Sequence, residues 1–296
     1  MGAKLKIIFS MTVFGTLALF VKNIDLTAGE IALFRALIAA VSIIIYKLAV
    51  KEAIFPASIR KEIPILFVSG AAMAFNWIFL FKAYIHTSVS IATLSYYFAP
   101  VIVMVSSPLL FKETLSLKQV ICFFMASAGL VMVIGVSGAG MNSGHLAGIG
   151  FGLCAAVFYA GVIILNKYIK SVTGIDRTLI QFFAAITILM PYLFFTTGIS
   201  LGNLNAWGFA NLFVLGLVHT GITYCLYFSS LKDLTGQEAA IFSYIDPLVA
   251  ILISVMILNE SMNLFQIMGG IMILGFTLLN EIQVKFWTTG KGVNEK

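Results

Sequence analysis

Tyr97-Phe98-Ala99-Pro100 returns later in the chain as Tyr244-Ile245-Asp246-Pro247, and that return decides the fold. The two stretches lie 147 residues apart (247 minus 100). The same interval separates Ala92 from Ala239, Glu113 from Glu260, Leu117 from Leu264 and Gln119 from Gln266. The chain is therefore expected to hold two related halves. Pro100 and Pro247 both fall inside long apolar runs, where a proline removes a backbone hydrogen bond and frees the carbonyl one turn earlier. In lipid that is tolerated where the helix lines a cavity or packs on protein.

The apolar runs dominate the composition. Of 296 residues, 60% are hydrophobic and only 10% charged, with a mean hydropathy of +1.05. Thirty charged residues (18 basic, 12 acidic) cannot cover the surface of a soluble protein this long, which excludes a water-soluble globule. Lipid has to solvate most of the exterior. Cys122, Cys154 and Cys225 lie in apolar runs and are odd in number, which argues against a disulfide framework. The net charge of +6 comes from basic residues scattered singly, with no basic-aromatic face for nucleic acid.

A helix needs about 20 apolar residues to cross a hydrocarbon core of about 30 Å. Ten runs qualify, near 5–22, 28–50, 62–82, 88–110, 117–136, 146–168, 176–197, 207–229, 236–258 and 264–284. The first follows Lys4 and Lys6 as a signal peptide would. It lacks a small-x-small cleavage site, however, and further apolar runs follow, so it is read as a span. The expected fold is all-α, with ten transmembrane helices in two five-helix repeats. Residues 1–136 form the first, 146–284 the second, and 285–296 a tail. An odd number of spans per repeat inverts the second relative to the first, as in many secondary transporters. With the N-terminus inside, fifteen Lys and Arg fall on the cytoplasmic side, while only Lys22 and Lys82 fall outside and Arg35 within a span. That bias places both termini in the cytoplasm and the chain in the cell membrane. No Gly-x-x-x-x-Gly-Lys-Ser/Thr loop exists for ATP, and the connections are too short for a catalytic domain.

The pattern of Tyr97-Phe98-Ala99-Pro100 followed by Phe111-Lys112-Glu113-Thr114-Leu115-Ser116, and of Tyr244-Ile245-Asp246-Pro247 followed by Leu258-Asn259-Glu260, is similar to the drug/metabolite transporter superfamily, EamA type. The resemblance covers essentially the whole chain. The family usually has Gly before the Glu, where this chain has Lys112 and Asn259. The resemblance implies a cavity between spans 1–4 and 6–9, with spans 5 and 10 peripheral. It also implies export or exchange of small metabolites or drugs.

Within that frame, Asp246 is the most informative residue. A carboxyl near the bilayer centre is expensive and normally faces the bundle interior, so it is expected to bind substrate or exchange a proton. Arg35 is the other intramembrane charge, with Glu30 and Asp246 as candidate partners and snorkelling to the headgroups as the alternative. His219 is a candidate proton relay facing Asp246 across the cavity. Asn76, Gln181 and Asn166 are polar groups in apolar spans, Asn76 and Gln181 being candidate substrate contacts and all three alternatively interhelical glue. Tyr96, Tyr159, Tyr224 and Tyr244 sit too deep for an interfacial belt and, with Trp77, are expected to stack on a ligand. Pro100 and Pro247 are assigned to gating. Glu113 and Glu260 are assigned to structure, tying the turns ahead of helices capped by Ser116 with Gln119 and Asn263 with Gln266. Gly148-x-x-x-Gly152 and Gly269-Gly270 are read as internal helix contacts.

These residues point to a secondary transporter for a small organic solute, exporting it with proton coupling. A passive facilitator or channel is the alternative. An enzyme is disfavoured, since no His-Glu-x-x-His, Gly-x-Ser-x-Gly or Asp-rich metal motif is present. The expected partners are an amino acid-like or aromatic solute, the bilayer and protons, with neither cofactor nor metal. A monomer or weak homodimer is expected.

Overall fold

The structure, a computed structural model, describes residues 2–54, 57–111, 114–135, 143–169, 172, 174–231, 233–234 and 236–282. Met1, Lys112, Glu113, residues 137–142 and the 285–296 tail lie outside the described residues. The described chain is helical and contains no strand. Its helices are α1 (Ala3–Gly15), α2 (Leu17–Val21), α3 (Ala28–Ala49), α4 (Ile63–His86), α5 (Val89–Tyr96), α6 (Ala99–Phe111) and α7 (Leu117–Gly135). There follow α8 (Ser143–Tyr168), α9 (Gly174–Phe195), α10 (Ala206–Val214), a π-helical segment (Leu215–Ile222), α11 (Thr223–Leu231), α12 (Gly236–Ser243), α13 (Ile245–Met256) and α14 (Leu264–Glu281). By length and composition, eight helical stretches among the described residues can cross a membrane, while Leu117–Val133 and Ile241–Met256 are shorter apolar helices.

Local chemistry sets the helix starts. Thr27 and Glu30 form a reciprocal capping box at α3, and Asn263 with Gln266 forms another at α14. At α7, the Gln119 amide donates to Ser116 Oγ at 3.3 Å and the Ser116 amide donates to Gln119 Oε1 at 2.7 Å. Asn259 has a φ of 54°, a left-handed conformation that glycine adopts freely and asparagine tolerates better than most residues. The tight turn before Glu260 thus survives without the glycine usual at that place.

Three apolar stretches are interrupted. The first breaks at Gly15–Thr16, where the Thr16 hydroxyl and amide both donate to the Val13 carbonyl, at 2.8 and 3.1 Å. The others break at Tyr97-Phe98 and at Tyr244. Pro100 and Pro247 stand in the first turns of α6 and α13 rather than at mid-helix kinks. In a first turn the missing N–H has no intrahelical partner to lose.

The main core joins α3, α4 and α9, with Ala36, Phe81, Phe182 and Leu189 fully or almost fully buried. Outside it, α7 and α14 pair through glycine. A Cβ at Gly129 would stand 2.7 Å from the Gly269 carbonyl oxygen, and one at Gly269 would stand 2.5 Å from the Gly129 carbonyl oxygen. Gly270 faces Leu94, and Gly152 faces Ala92 and Ser95 of α5, so both glycine motifs serve contacts inside the bundle.

Ion pairs and caps tie the two ends differently. At one end, Glu260 takes Lys22, the Val89 amide (2.7 Å) and the Ser254 hydroxyl, and Ser90 Oγ donates to Ser254 Oγ at 2.7 Å. Glu30 accepts the Ser200 amide there. At the other end, the buried Lys47 pairs with Asp176. Nearby, Arg177 donates to the carbonyls of Ile169 and Val172 at 3.0 and 2.9 Å.

Candidate functional site

A cavity of about 410 Å³ occupies the middle of the bundle. Its walls come from α1 to α5, α8, α9, α11, α12 and α13, and none of its lining residues comes from α7 or α14. On α4 the lining is one helical stripe, Met73, Asn76, Trp77, Leu80 and Tyr84, at the three- and four-residue intervals of a single face.

Eight of the ten binding residues expected from sequence line this space: Arg35, Asn76, Trp77, Tyr96, Tyr159, Gln181, Tyr224 and Asp246. Tyr96 stacks on Tyr159 with ring centroids 5.1 Å apart. Tyr224 meets Phe14 and Phe182 edge to face at 5.2 and 5.7 Å. Asn76 Nδ2 donates to the Ala155 carbonyl at 2.8 Å, fastening α4 to α8. Gln181 Nε2 donates to Ser69 Oγ at 2.7 Å and to Asn166 Oδ1 at 2.9 Å. Asn76, Gln181 and Asn166 therefore bind helices together while also bordering the cavity.

Two expected residues lie elsewhere. Tyr244 packs on Leu94 and Leu274 and borders a separate apolar groove of about 350 Å³. It occupies the turn between α12 and α13 and is not among the residues that line the central cavity. His219 is 2% exposed and does not line the cavity. Its Nε2 lies 2.8 Å from Thr16 Oγ1 and its ring stands edge-on to Phe20 at 4.5 Å. The expected relay between His219 and Asp246 across the cavity is not formed. The histidine instead steadies the break in the first helix.

Asp246 opens α13, and its carboxylate accepts a hydrogen bond from the Tyr97 hydroxyl at 2.6 Å. The backbone of Asp246 crowds the break in the first helix, since a Cβ at Gly15 would stand 2.6 Å from the Asp246 carbonyl oxygen. Only glycine fits there.

Arg35 has neither expected partner. Glu30 is held by Thr27 and Ser200, and Asp246 by Tyr97. Arg35 Nε donates to Thr220 Oγ1 at 2.6 Å, and the guanidinium lies over Trp77 at 4.8 Å and Phe81 at 5.7 Å. It does not snorkel, because it is 3% exposed. Thr220 reaches it from the π-helical segment, whose hydroxyls follow the widened turn. Thr220 Oγ1 donates to the Leu215 carbonyl, and Thr223 Oγ1 to the Val218 carbonyl, each five residues back. Gly216 and Gly221 let this segment close on Ile38 and Ser42 of α3.

Tyr84, Tyr97 and Tyr227 also line the cavity and were not among the expected contacts. Tyr84 follows Trp77 by seven residues on the same α4 face, and Tyr227 follows Tyr224 by three. Tyr97 stands in the repeated stretch itself, at the position equivalent to Tyr244.

Apolar helices long enough to cross a membrane, around a cavity with a few convergent polar groups, define a multi-pass membrane protein. The chain belongs to the EamA-like transporter family, which it matches over residues 2–135 and 146–281. A Bacillus subtilis (strain 168) protein named uncharacterized transporter YxxF is 28% identical over 272 residues, 92% of this chain and 86% of that one. Uncharacterized transporter YdfC of the same organism is 26% identical over 265 residues, 87% of this chain and 83% of that one. A solved crystal structure shares the fold with a TM-score of 0.65 at 16% identity, covering 94% of this chain and 96% of that chain. The family and these relatives are named as transporters, and transport is the general function.

Proposed function

We propose that the protein is a secondary transporter that exports a small organic metabolite or drug across the cell membrane by alternating access, coupled to protons. The observation that carries this reading is the inequality of the two ends of the bundle. The cavity lining extends to Arg177 and Thr178 in the first turns of α9. No lining residue comes from the end where Glu260 joins Lys22, Val89 and Ser254. A site whose lining runs to one end of the bundle and stops short of the other fits one half of an alternating-access cycle.

Ten spans, in inverted repeats 1–136 and 146–284, supply the other half by exchanging conformations. The breaks beside Pro100 and Pro247 are the matched points of bending. On the positive-inside reading the Arg177 end is cytoplasmic, both termini are cytoplasmic, and the conformation described is open inward. Asp246 carries the coupling proton, and the solute is amino acid-like or aromatic, lying between Trp77 and the cavity tyrosines.

The test is accumulation in proteoliposomes under an imposed pH gradient, with solutes first chosen by a thermal-stabilisation screen of the purified chain. Accumulation against the solute's own gradient that collapses with a protonophore supports coupled transport. Rapid equilibration without accumulation makes the protein a facilitator.

A further inference from the structure

Arg35 is a buried, permanently charged group in the cavity wall with no counter-ion among the described residues. It is 3% exposed, and no Asp or Glu pairs with it among the described residues. Its one hydrogen bond runs from Nε to Thr220, and the terminal nitrogens have no protein partner among the described residues. Trp77 and Phe81 cover the guanidinium from distances of 4.8 and 5.7 Å. Its edge is left for the cavity. That edge carries parallel N–H groups, the geometry that takes a carboxylate in a two-point contact. A buried charge without a partner is strongly unfavourable, so a ligand that brings the opposite charge gains most here.

Asp246 also has only a neutral partner, the Tyr97 hydroxyl, but a carboxyl can lose its charge by binding the coupling proton, whereas a guanidinium stays charged. A positive group on the solute is therefore dispensable, and a negative one is not. We infer that the solute bears a carboxylate that docks on the edge of Arg35, with its apolar part against Trp77 and Tyr84. The inference rests on the cavity being the transport site, and it narrows the solute class. Neutral aromatics and simple amines are excluded.

The test uses the full chain in nanodiscs and four probes of one shape: 3-phenylpropionate, phenylalanine, phenethylamine and 3-phenylpropan-1-ol. The two carboxylates are expected to raise the melting temperature, while the amine and the alcohol leave it unchanged. Arg35→Gln is expected to abolish the shift, and Arg35→Lys to weaken carboxylate binding about tenfold, because a point charge lacks the two-point edge. An equal shift from the amine or alcohol overturns the inference, as does no shift from either carboxylate at millimolar concentration. Stabilisation by chloride alone to the same extent overturns it too, by making the site one for a bulk anion. If Arg35→Gln fails to fold, the probe series on the unaltered chain decides. The same probes in proteoliposomes separate the two claims. A carboxylate that binds without being moved defeats transport and leaves the anion site, whereas an amine that is moved while carboxylates fail to bind does the reverse.

Discussion

The Tyr97 hydroxyl donates to the Asp246 carboxylate across 2.6 Å, joining the interruption between α5 and α6 to the interruption between α12 and α13. The bond runs between the two repeated Tyr-x-x-Pro stretches, yet it is not symmetric. The residue equivalent to Asp246 is Ala99, and Tyr244 borders the separate apolar groove.

Asp246→Asn is expected to lose pH-driven accumulation while still exchanging solute, because an amide keeps the shape and carries no proton. Tyr97→Phe removes the hydrogen bond that positions the carboxylate, so the pH profile of transport should change. Tyr244→Phe should leave the profile in place. Flux assays across pH 5.5 to 8 on all three variants check this. Parent-like accumulation by Asp246→Asn across that range would remove Asp246 from coupling.

Pro100→Ala and Pro247→Ala should yield folded protein in detergent with slowed transport. Each proline stands in a first helical turn, where its ring costs no intrahelical hydrogen bond, and alanine supplies an N–H that lets the helix grow back across the break. Circular dichroism and flux per folded molecule are the measurements. Unchanged flux in both variants would return the prolines to packing alone.

Glu260→Gln should loosen the end opposite Arg177. The variant loses the charge that holds Lys22 and weakens the bonds to Val89 and Ser254, a stability loss of about 1–3 kcal/mol. In a cysteine-free background, Ser90→Cys should then react faster with a membrane-impermeant thiol reagent than it does beside an intact Glu260. Equal labelling rates would mean that the contact does not seal the cavity. Glu113→Gln is expected mainly to lower expression or stability.

Gly15→Ala places a methyl 2.6 Å from both the Asp246 carbonyl oxygen and Val249 Cβ. Backbone and packed side chains must shift, with an expected destabilisation of about 1–3 kcal/mol. Thermal melts should show it, and Gly150→Ala, with nothing within 4 Å of its added Cβ, is the control.

Fusion reporters are expected to place Met1, the 51–61 connection and Lys296 in the cytoplasm, and the 137–145 and 198–206 connections outside. A cytoplasmic signal from either of the last two would break the ten-span arrangement.

Helix positions and the Ser116/Gln119 and Asn263/Gln266 caps were legible because they depend on neighbours within a turn. Asp246, Arg35 and Trp77 were legible as cavity residues because charge and large aromatics deep in apolar runs have few other places to go. What depends on a distant helix was not. Glu30 looked available to Arg35 until the loop at Ser200 took it, and His219 looked like a relay until Thr16 claimed its ring. The π-helical turn that delivers Thr220 left only a faint trace, glycines 216 and 221 five residues apart. The different surroundings of Tyr97 and Tyr244 left none, since the two share one sequence context and differ only in what packs against them.

The reciprocal backbone contact between Gly129 and Gly269 gives the molecule a fixed ruler. With no side chain on either glycine, α7 and α14 approach carbonyl to glycine, flanked by Met132, Val133 and Met272, and neither can slide without a carbonyl striking its neighbour. The pair behaves as one beam beside the helices that surround the cavity. Spectroscopic labels on these two helices should report one constant separation through the cycle, and every other pair of labels can be read against it.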